Sequence, residues 1–446
     1  MERSQNLMLD VSFPIFMRDD GFKTFQYAVG PHASRIRRLH VGVHGDRVYD
    51  FYRMLAECDF MMPALEHFSI RMFEYGFPDD TCDDGLPQSG LFGESESLTK
   101  LTFSGALPLQ AHLSPYIRSL TLADRVFDLD DMLCCLGAAP NLEYLALLDS
   151  VPHTFESTRR SLVTLDGLRE FHWFQGRVFD NILGTVKLFE HLILPSLDTT
   201  EFVMLLDPTK YSTSDLYAPC HRSATLFNTV TELTLEATHY APGKPARNNI
   251  VFNGWHNHEI VFSVRVNRAS LEHLCVPGGI FLTSSVHIDL SQVTQLTFTG
   301  MLPYTWSRFF RASWAQFFRC VPAVKVLRLH ASKPADILTS IMNAEDSSPY
   351  PLLPELQVLH LFRCERSAGG GGIDDEDGAQ TLLRFLERRA EFGMPIESIV
   401  CTPEDGSALP PAIPALVDSI EFGRPGKWAQ LRFPSRMGAL LEEHVN

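Results

Sequence analysis

The 446-residue chain has no Cys-x-x-Cys pair, no Asn-x-Ser/Thr sequon and no apolar run long enough to span a bilayer. Its nine cysteines are scattered and odd in number, and the adjacent Cys134 and Cys135 are poorly placed to bridge each other. This is the thiol usage of a reducing compartment rather than a disulfide framework. Residues 1–10 lack the apolar segment of a signal peptide. A cytoplasmic or nuclear protein is the expectation.

Signatures of chemistry are missing too. There is no Gly-x-Ser-x-Gly elbow, no phosphate-cradling Gly-Lys-Ser/Thr loop, no dinucleotide fingerprint and no His-Glu-x-x-His helix. Gly369 to Gly372 are not followed by a helix-opening Lys and read as a linker, and Asp374 to Asp377 lack the position pattern of a calcium loop. Trp255-His-Asn-His-Glu259 offers two histidines without further metal ligands at suitable spacing, so it reads as a polar hairpin tip. A hydrolase using these histidines is the remote alternative. No catalytic residue, metal or cofactor is expected.

Basic excess is likewise absent. Thirty-eight Lys and Arg face 54 Asp and Glu, a net charge of −16. Such a surface repels phosphate backbones, so neither a nucleic acid nor an anionic membrane is the expected partner. Small basic groups remain, Arg35, Arg37, Arg38 and Arg159, Arg160. They read as solvated faces, although basic residues on a concave face can meet an acidic peptide.

What is present is a folded composition, 45% hydrophobic and 21% charged, on a chain longer than one core usually serves. One short unit recurs: apolar, two variable, apolar, one variable, apolar. It reads Ile36-Arg-Arg-Leu39-His-Val41, then Leu65 to Ile70, Leu98 to Phe103, Ile117 to Leu122, Leu142 to Leu147, Leu168 to Trp173 and Phe189 to Leu194. Further copies are Val230 to Leu235, Leu271 to Val276, Val293 to Phe298, Val324 to Leu329 and Leu356 to Leu361, with weaker ones at Ile396 to Cys401 and Val417 to Phe422. The last two apolar residues of each unit lie two apart, so they share one face of a short strand. The first plugs the turn before it.

Segments between units leave room for return helices. Asp128 to Gly137 carries Leu129, Met132, Leu133 and Leu136 at helical spacing, and Ser313 to Cys320 and Gln380 to Arg389 are similar. A strand, a helix and a parallel neighbouring strand make one solenoid step, whose apolar face is buried only by stacking. The spacing is uneven: Leu101 to Leu120 is 19 residues and Leu192 to Leu233 is 41. Loop insertions are therefore expected near 77–93, 197–225, 240–266 and 367–378. Within the third, Asn249 to Phe252 and Glu259 to Val266 read as a β-hairpin or one long extra strand.

The repeat resembles the leucine-rich-repeat region of fungal F-box proteins, especially the basidiomycete type. The resemblance lies in Pro63-Ala-Leu65-Glu-His-Phe68, Pro140-Asn-Leu142-Glu-Tyr-Leu145-Ala-Leu147 and Pro354-Glu-Leu356-Gln-Val-Leu359-His-Leu361. Residues Leu7 to Phe13 and His32 to Val41 are also similar to the segment that follows the F-box there. It covers most of the chain. A Leu-Pro-x-Glu-Leu-like F-box start does not occur in residues 1–35.

The resemblance implies a protein-interaction receptor that reads substrates for a cullin-type (SCF) ubiquitin ligase, with the ligase adaptor as a further partner. The alternative is a leucine-rich-repeat scaffold or inhibitor with no ligase connection. The expected architecture is an irregular α/β solenoid, a horseshoe with a parallel concave sheet and outer helices. Residues 1–35 form its N-terminal cap, 36–433 the repeats and 434–446 a tail, and the molecule is a monomer.

On such a sheet the residues flanking the core pair face the partner. The candidates are Arg38, His40, His67, Arg71, Lys100, Tyr144, His172, Phe174, His191, Glu232, His273, Arg328, His330, His360 and Phe362. Arg71, Tyr144, Phe174, Arg328 and Phe362 are the best anchors, because Arg and aromatic side chains dominate binding hot spots.

Overall fold

A computed structural model describes residues 7–16, 19–44, 47–57, 61–73, 95–105, 113–124, 126–152, 162–175, 188, 191–204, 229–239, 248–257, 259–266, 290–300, 317–331, 334–346, 351–363, 376–403 and 409–423. The chain is mixed α/β and divides into two compact units, residues 1–198 and 199–446.

The first unit runs β1 (Leu9–Phe16), α1 (Asp19–Val29), a 3-10 turn (Gly30–Arg35), β2 (Ile36–His44), α2 (Val48–Glu57), β3 (His67–Phe73), β4 (Lys100–Ser104) and β5 (Ser119–Ala123). It continues with β6 (Val126–Phe127), α3 (Leu129–Ala138), β7 (Tyr144–Leu148), β8 (Val151–Pro152), β9 (Val163–Thr164), β10 (Glu170–Gln175) and β11 (Leu192–Ile193). Seven strands lie side by side in the order β1-β2-β3-β4-β5-β7-β10. Every pairing among them is parallel.

The second unit runs β12 (Thr199–Met204), β13 (Glu232–His239), β14 (Asn248–His256), β15 (Glu259–Val266), β16 (Gln295–Gly300), β17 (Val326–Ala331), α4 (Pro334–Glu345) and β18 (Val358–Arg363). It ends in α5 (Glu376–Glu391), β19 (Ser398–Cys401), a 3-10 turn (Ile413–Ala415) and β20 (Ser419–Phe422). Its nine described strands follow the order β12-β15-β14-β13-β16-β17-β18-β19-β20, and neither row of described strands closes on itself. β14 pairs antiparallel with both β13 and β15, while the remaining pairings are parallel.

Most described copies of the repeat build the same local device. The first apolar residue donates its backbone N–H to the carbonyl three residues earlier: Leu65 to Met62, Leu98 to Ser95, Ile117 to Ser114, Leu142 to Ala139, Leu168 to Leu165 and Leu356 to Leu353. The tight turn tucks that side chain under the strand. The strand then opens with its two apolar residues on one face. Leu39, Phe68, Leu101, Leu120, Leu145 and Phe171 stand in register across the first unit, each fully buried. Leu233, Leu296, Leu327, Leu359 and Ile399 do the same in the second. Each such leucine contributes about 1.5–3 kcal/mol by leaving water.

Strand exits carry a second device. Gly105, Asp124 and Asp149 have φ of 95°, 50° and 48°. Each donates its N–H to a carbonyl at the end of the neighbouring strand, the last one at Ala123 and Leu148 and the next to last at Phe174, over 2.8, 2.8 and 2.6 Å. Gly tolerates the left-handed region and Asp visits it more readily than most residues. Of the helices, α3 follows its spacing closely. The Asp128 side chain caps it by accepting from the N–H groups of Asp130 and Asp131, and Leu129, Met132, Leu133 and Leu136 are buried.

Several expectations are corrected. The expected cap contributes a strand of its own, because β1 pairs parallel with β2. The 197–225 span is not loop throughout, since Thr199–Met204 form β12; Thr200, Phe202 and Val203 suit a strand. The unit around Leu192 forms β11, which pairs with the two-residue β9 and does not join the main row. The sheet is mostly rather than wholly parallel, because the hairpin expected at 249–266 inserts into it as β14 and β15. The copy at Leu271 to Val276, the insertion at 77–93 and the tail at 434–446 lie outside the described residues.

Candidate functional site

Alternation along each strand gives the row a second face, opposite the leucines. In the first unit Asp10, Arg38, His67, Lys100, Ser119, Tyr144 and Glu170 align strand by strand on it. The next rung along is Ser12, His40, Ser69, Thr102, Thr121, Ala146 and His172. The third holds Gly42, Arg71, Ser104, Ala123, Leu148 and Phe174. The structure thus brings Arg38, His40, His67, Arg71 and Lys100 onto three adjacent strands, and Tyr144, His172 and Phe174 onto two more.

The basic end is closely built. The rings of His40 and His67 meet edge to face with centroids 4.9 Å apart. His67 Nε2 lies 3.3 Å from Thr102 Oγ1. Burial, and then the positive charges of Lys100, His40 and Arg38, push the His67 pKa down to about 3, with Asp10 opposing. Asp10 itself accepts two hydrogen bonds from Arg37, Nε to Oδ1 and Nη2 to Oδ2, both at 3.3 Å. That hydrogen bonding holds its carboxyl below the usual range. Arg38 stands 3.9 Å from the same carboxylate with its side chain 50% exposed.

In the second unit Arg328 aligns with Thr297 on one side and His360 on the other, and His330 aligns with Phe362. Arg328 also faces Glu232, Nη1 to Oε1 3.3 Å. Burial lowers the Arg328 pKa, with Glu232 opposing. Burial, and then Arg328, bring His360 down to about 4.

Two candidates are corrected by burial. His172 is 1% exposed and Phe362 2% exposed, so neither offers a partner its side chain although both stand at outward register positions. His172 instead packs against Tyr144, ring centroids 5.2 Å apart, and Phe362 against His360 at 6.0 Å. His191 precedes β11 and is set apart from the rungs by that strand's pairing with β9. His273 lies outside the described residues.

Of one polar rung in the second unit, the sequence reading named only Arg328 and His360. Glu201, Ser263, Asn253, Thr234, Thr297, Arg328 and His360 align across β12, β15, β14, β13, β16, β17 and β18. Asn253 and Thr297 are almost fully buried, and Asn253 Oδ1 and Thr297 Oγ1 have no hydrogen-bond partner among the described residues. For the rest, Thr234 and Thr297 within the repeats were the readable signal; β12 and the hairpin order were not readable. At the hairpin tip Asn257 turns with φ of 50° and its Nδ2 lies 3.0 Å from His256 Nε2.

Among the described residues no group of three or more His, Cys, Asp or Glu is placed to hold a metal ion. No described helix is long and apolar enough to cross a membrane. Compared with protein-family models and with curated proteins, the sequence matches none.

Proposed function

We propose that this chain is a protein-interaction receptor, a leucine-rich-repeat solenoid whose polar sheet face lines its concave side. The resemblance to fungal F-box proteins makes it the substrate-reading part of a cullin-type ubiquitin ligase, with the chemistry performed by other subunits. One observation carries the receptor reading: repeats of uneven length still deliver their strands in unbroken register. Arg38, His67, Lys100 and Tyr144 therefore stand on one rung. A rung of this kind holds side chains at the inter-strand spacing of about 4.8 Å, a rigid comb for a polypeptide. Arg and Tyr on a preorganised surface are the residue types that anchor partners.

The experiment is affinity purification of the chain from fungal cells with identification of bound proteins. Adaptor and cullin among them support the ligase reading. Stable stoichiometric partners without them leave a scaffold or inhibitor of the same fold. A chain that runs alone at cellular concentration removes the receptor reading altogether.

A further inference from the structure

Three features of the polar faces bear on what a partner must look like. Cations dominate one patch of a chain that is otherwise strongly acidic. Arg38, His67 and Lys100 are direct cross-strand neighbours on β2, β3 and β4, and Arg71 lies two rungs further along β3. His67, kept neutral near pH 7 by its pKa of about 3, separates Arg38 from Lys100, so two fixed positive charges stand two strands apart on one rung, where an anionic ligand offsets their mutual repulsion. Asp10, the carboxylate on the same rung, is engaged with Arg37 through two hydrogen bonds and lies 3.9 Å from Arg38. Lys100 makes no ion pair among the described residues.

The floor between the cations is small and hydroxylated. Ser69, Thr102 and Ser104 occupy the rungs beside them, which lets an extended backbone come close. The cations are also spread out. Arg38 and Lys100 are two strands apart, about 10 Å, and Arg71 is about 13 Å along the strand from His67. One small anion is too compact for such a spread, whereas carboxylates on alternate residues of an extended chain recur about every 7 Å.

We propose that the β2–β4 face around Arg38, His67, Arg71 and Lys100 docks an extended, carboxylate-rich segment of a partner protein. This deepens the receptor reading above and rests on it. A nucleic acid fits less well, because it would extend its phosphates past three strands over a molecule of net charge −16. Glu170, on the same rung at β10, already reverses the sign there.

The test uses the full chain and a fluorescein-labelled decaglutamate peptide, followed by fluorescence anisotropy at low and high salt. Wild type binds it and releases it as salt rises. The pair Arg38→Glu with Lys100→Glu weakens binding by at least about tenfold, as charge pairing at an interface requires. A control pair of equal charge, Arg319→Glu with Arg384→Glu, leaves it within about twofold. Circular dichroism melts of both pairs report that they are folded; if the first is not, Arg38→Gln with Lys100→Gln replaces it with the same expectation. Equal losses in both pairs, no binding by wild type, or tighter binding of labelled deca-deoxythymidylate at the same residues each overturn the proposal. So does a phosphoserine decapeptide that binds where decaglutamate does not. Cellular partners captured equally by wild type and the Arg38→Glu, Lys100→Glu chain would remove this docking site while leaving the receptor reading standing.

Discussion

Arg328 on β17 reaches past β16 to Glu232 on β13, its Nη1 3.3 Å from the carboxylate Oε1, with side chains only 18% and 21% exposed. The pair stitches together strands that are not neighbours. Replacing Glu232 by Gln removes the carboxylate facing a half-buried guanidinium and is expected to cost about 1–3 kcal/mol. Urea denaturation of the two proteins measures it. Arg328→Gln has a separate readout, because Arg328 helps burial hold His360 at about 4. In that variant the His360 ring, followed by NMR, titrates closer to the ordinary 6.5.

His67 gives a pH prediction of definite sign. Its folded pKa is about 3 against an ordinary 6.5. The unfolded chain takes up a proton as pH falls below 6.5, while the folded chain does not until about 3. Stability contributed by the neutral ring is therefore complete above pH 6.5 and declines as pH falls towards 3. His67→Gln flattens that part of the stability–pH curve measured by denaturant titration. Lys100→Gln raises the His67 midpoint. An unchanged midpoint in Lys100→Gln would show that the Lys100 charge does not contribute to it.

Arg389 clamps a loop from inside. Its Nη1 and Nη2 donate to the carbonyls of Leu352 and Leu353 at 2.9 and 3.1 Å. Glu345, equally buried, accepts from the Leu352 N–H at 3.1 Å and faces Arg389 at 4.0 Å. Leu353 turns there with φ of 50°. Glu345 also pairs with Arg388 at 3.2 Å, so in Arg389→Ala the groups left without their partner are the Leu352 and Leu353 carbonyls, and the expected cost is about 1–3 kcal/mol. Thermal melts of the variant and the wild type measure it.

Asp128→Ala tests the helix cap. Losing the acceptor for the N–H groups of Asp130 and Asp131 is expected to lower stability by about 1 kcal/mol. Asp128→Asn retains most of it.

How far the fold could be read follows from what was local. Leu142, Leu145 and Leu147 announce their strand by spacing alone, and the same reading places β2 to β5, β16 to β18 and α3. Strands lacking that spacing escaped: β1, because Leu9 to Phe16 carries no repeat, and β12, because the Ser- and Thr-rich stretch after it masked a short β-branched run. Outward residues were legible by alternation, so Arg38, His67 and Lys100 came out on one face; that they are neighbours follows from the strand register. Their exposure was not. His172 and Phe362 occupy outward positions and are buried, because cover is a tertiary property that period two does not encode. The Asp10–Arg37 contact and the Asn253 rung likewise depend on pairings between segments far apart in sequence.

The hairpin of β14 and β15 has a consequence for polarity. The chain passes over two places between β12 and β13, then fills them backwards, like a backstitch. Between β12 and β16 the strands run up, down and up. Two reversals cancel, so β16 to β20 keep the direction of β12 and β13. A single added antiparallel strand would invert the strands that follow it in this unit and carry their turns and exits to the wrong end. Antiparallel strands can therefore be gained or lost here only in pairs, a parity rule that leaves β16 to β20 running as β12 does.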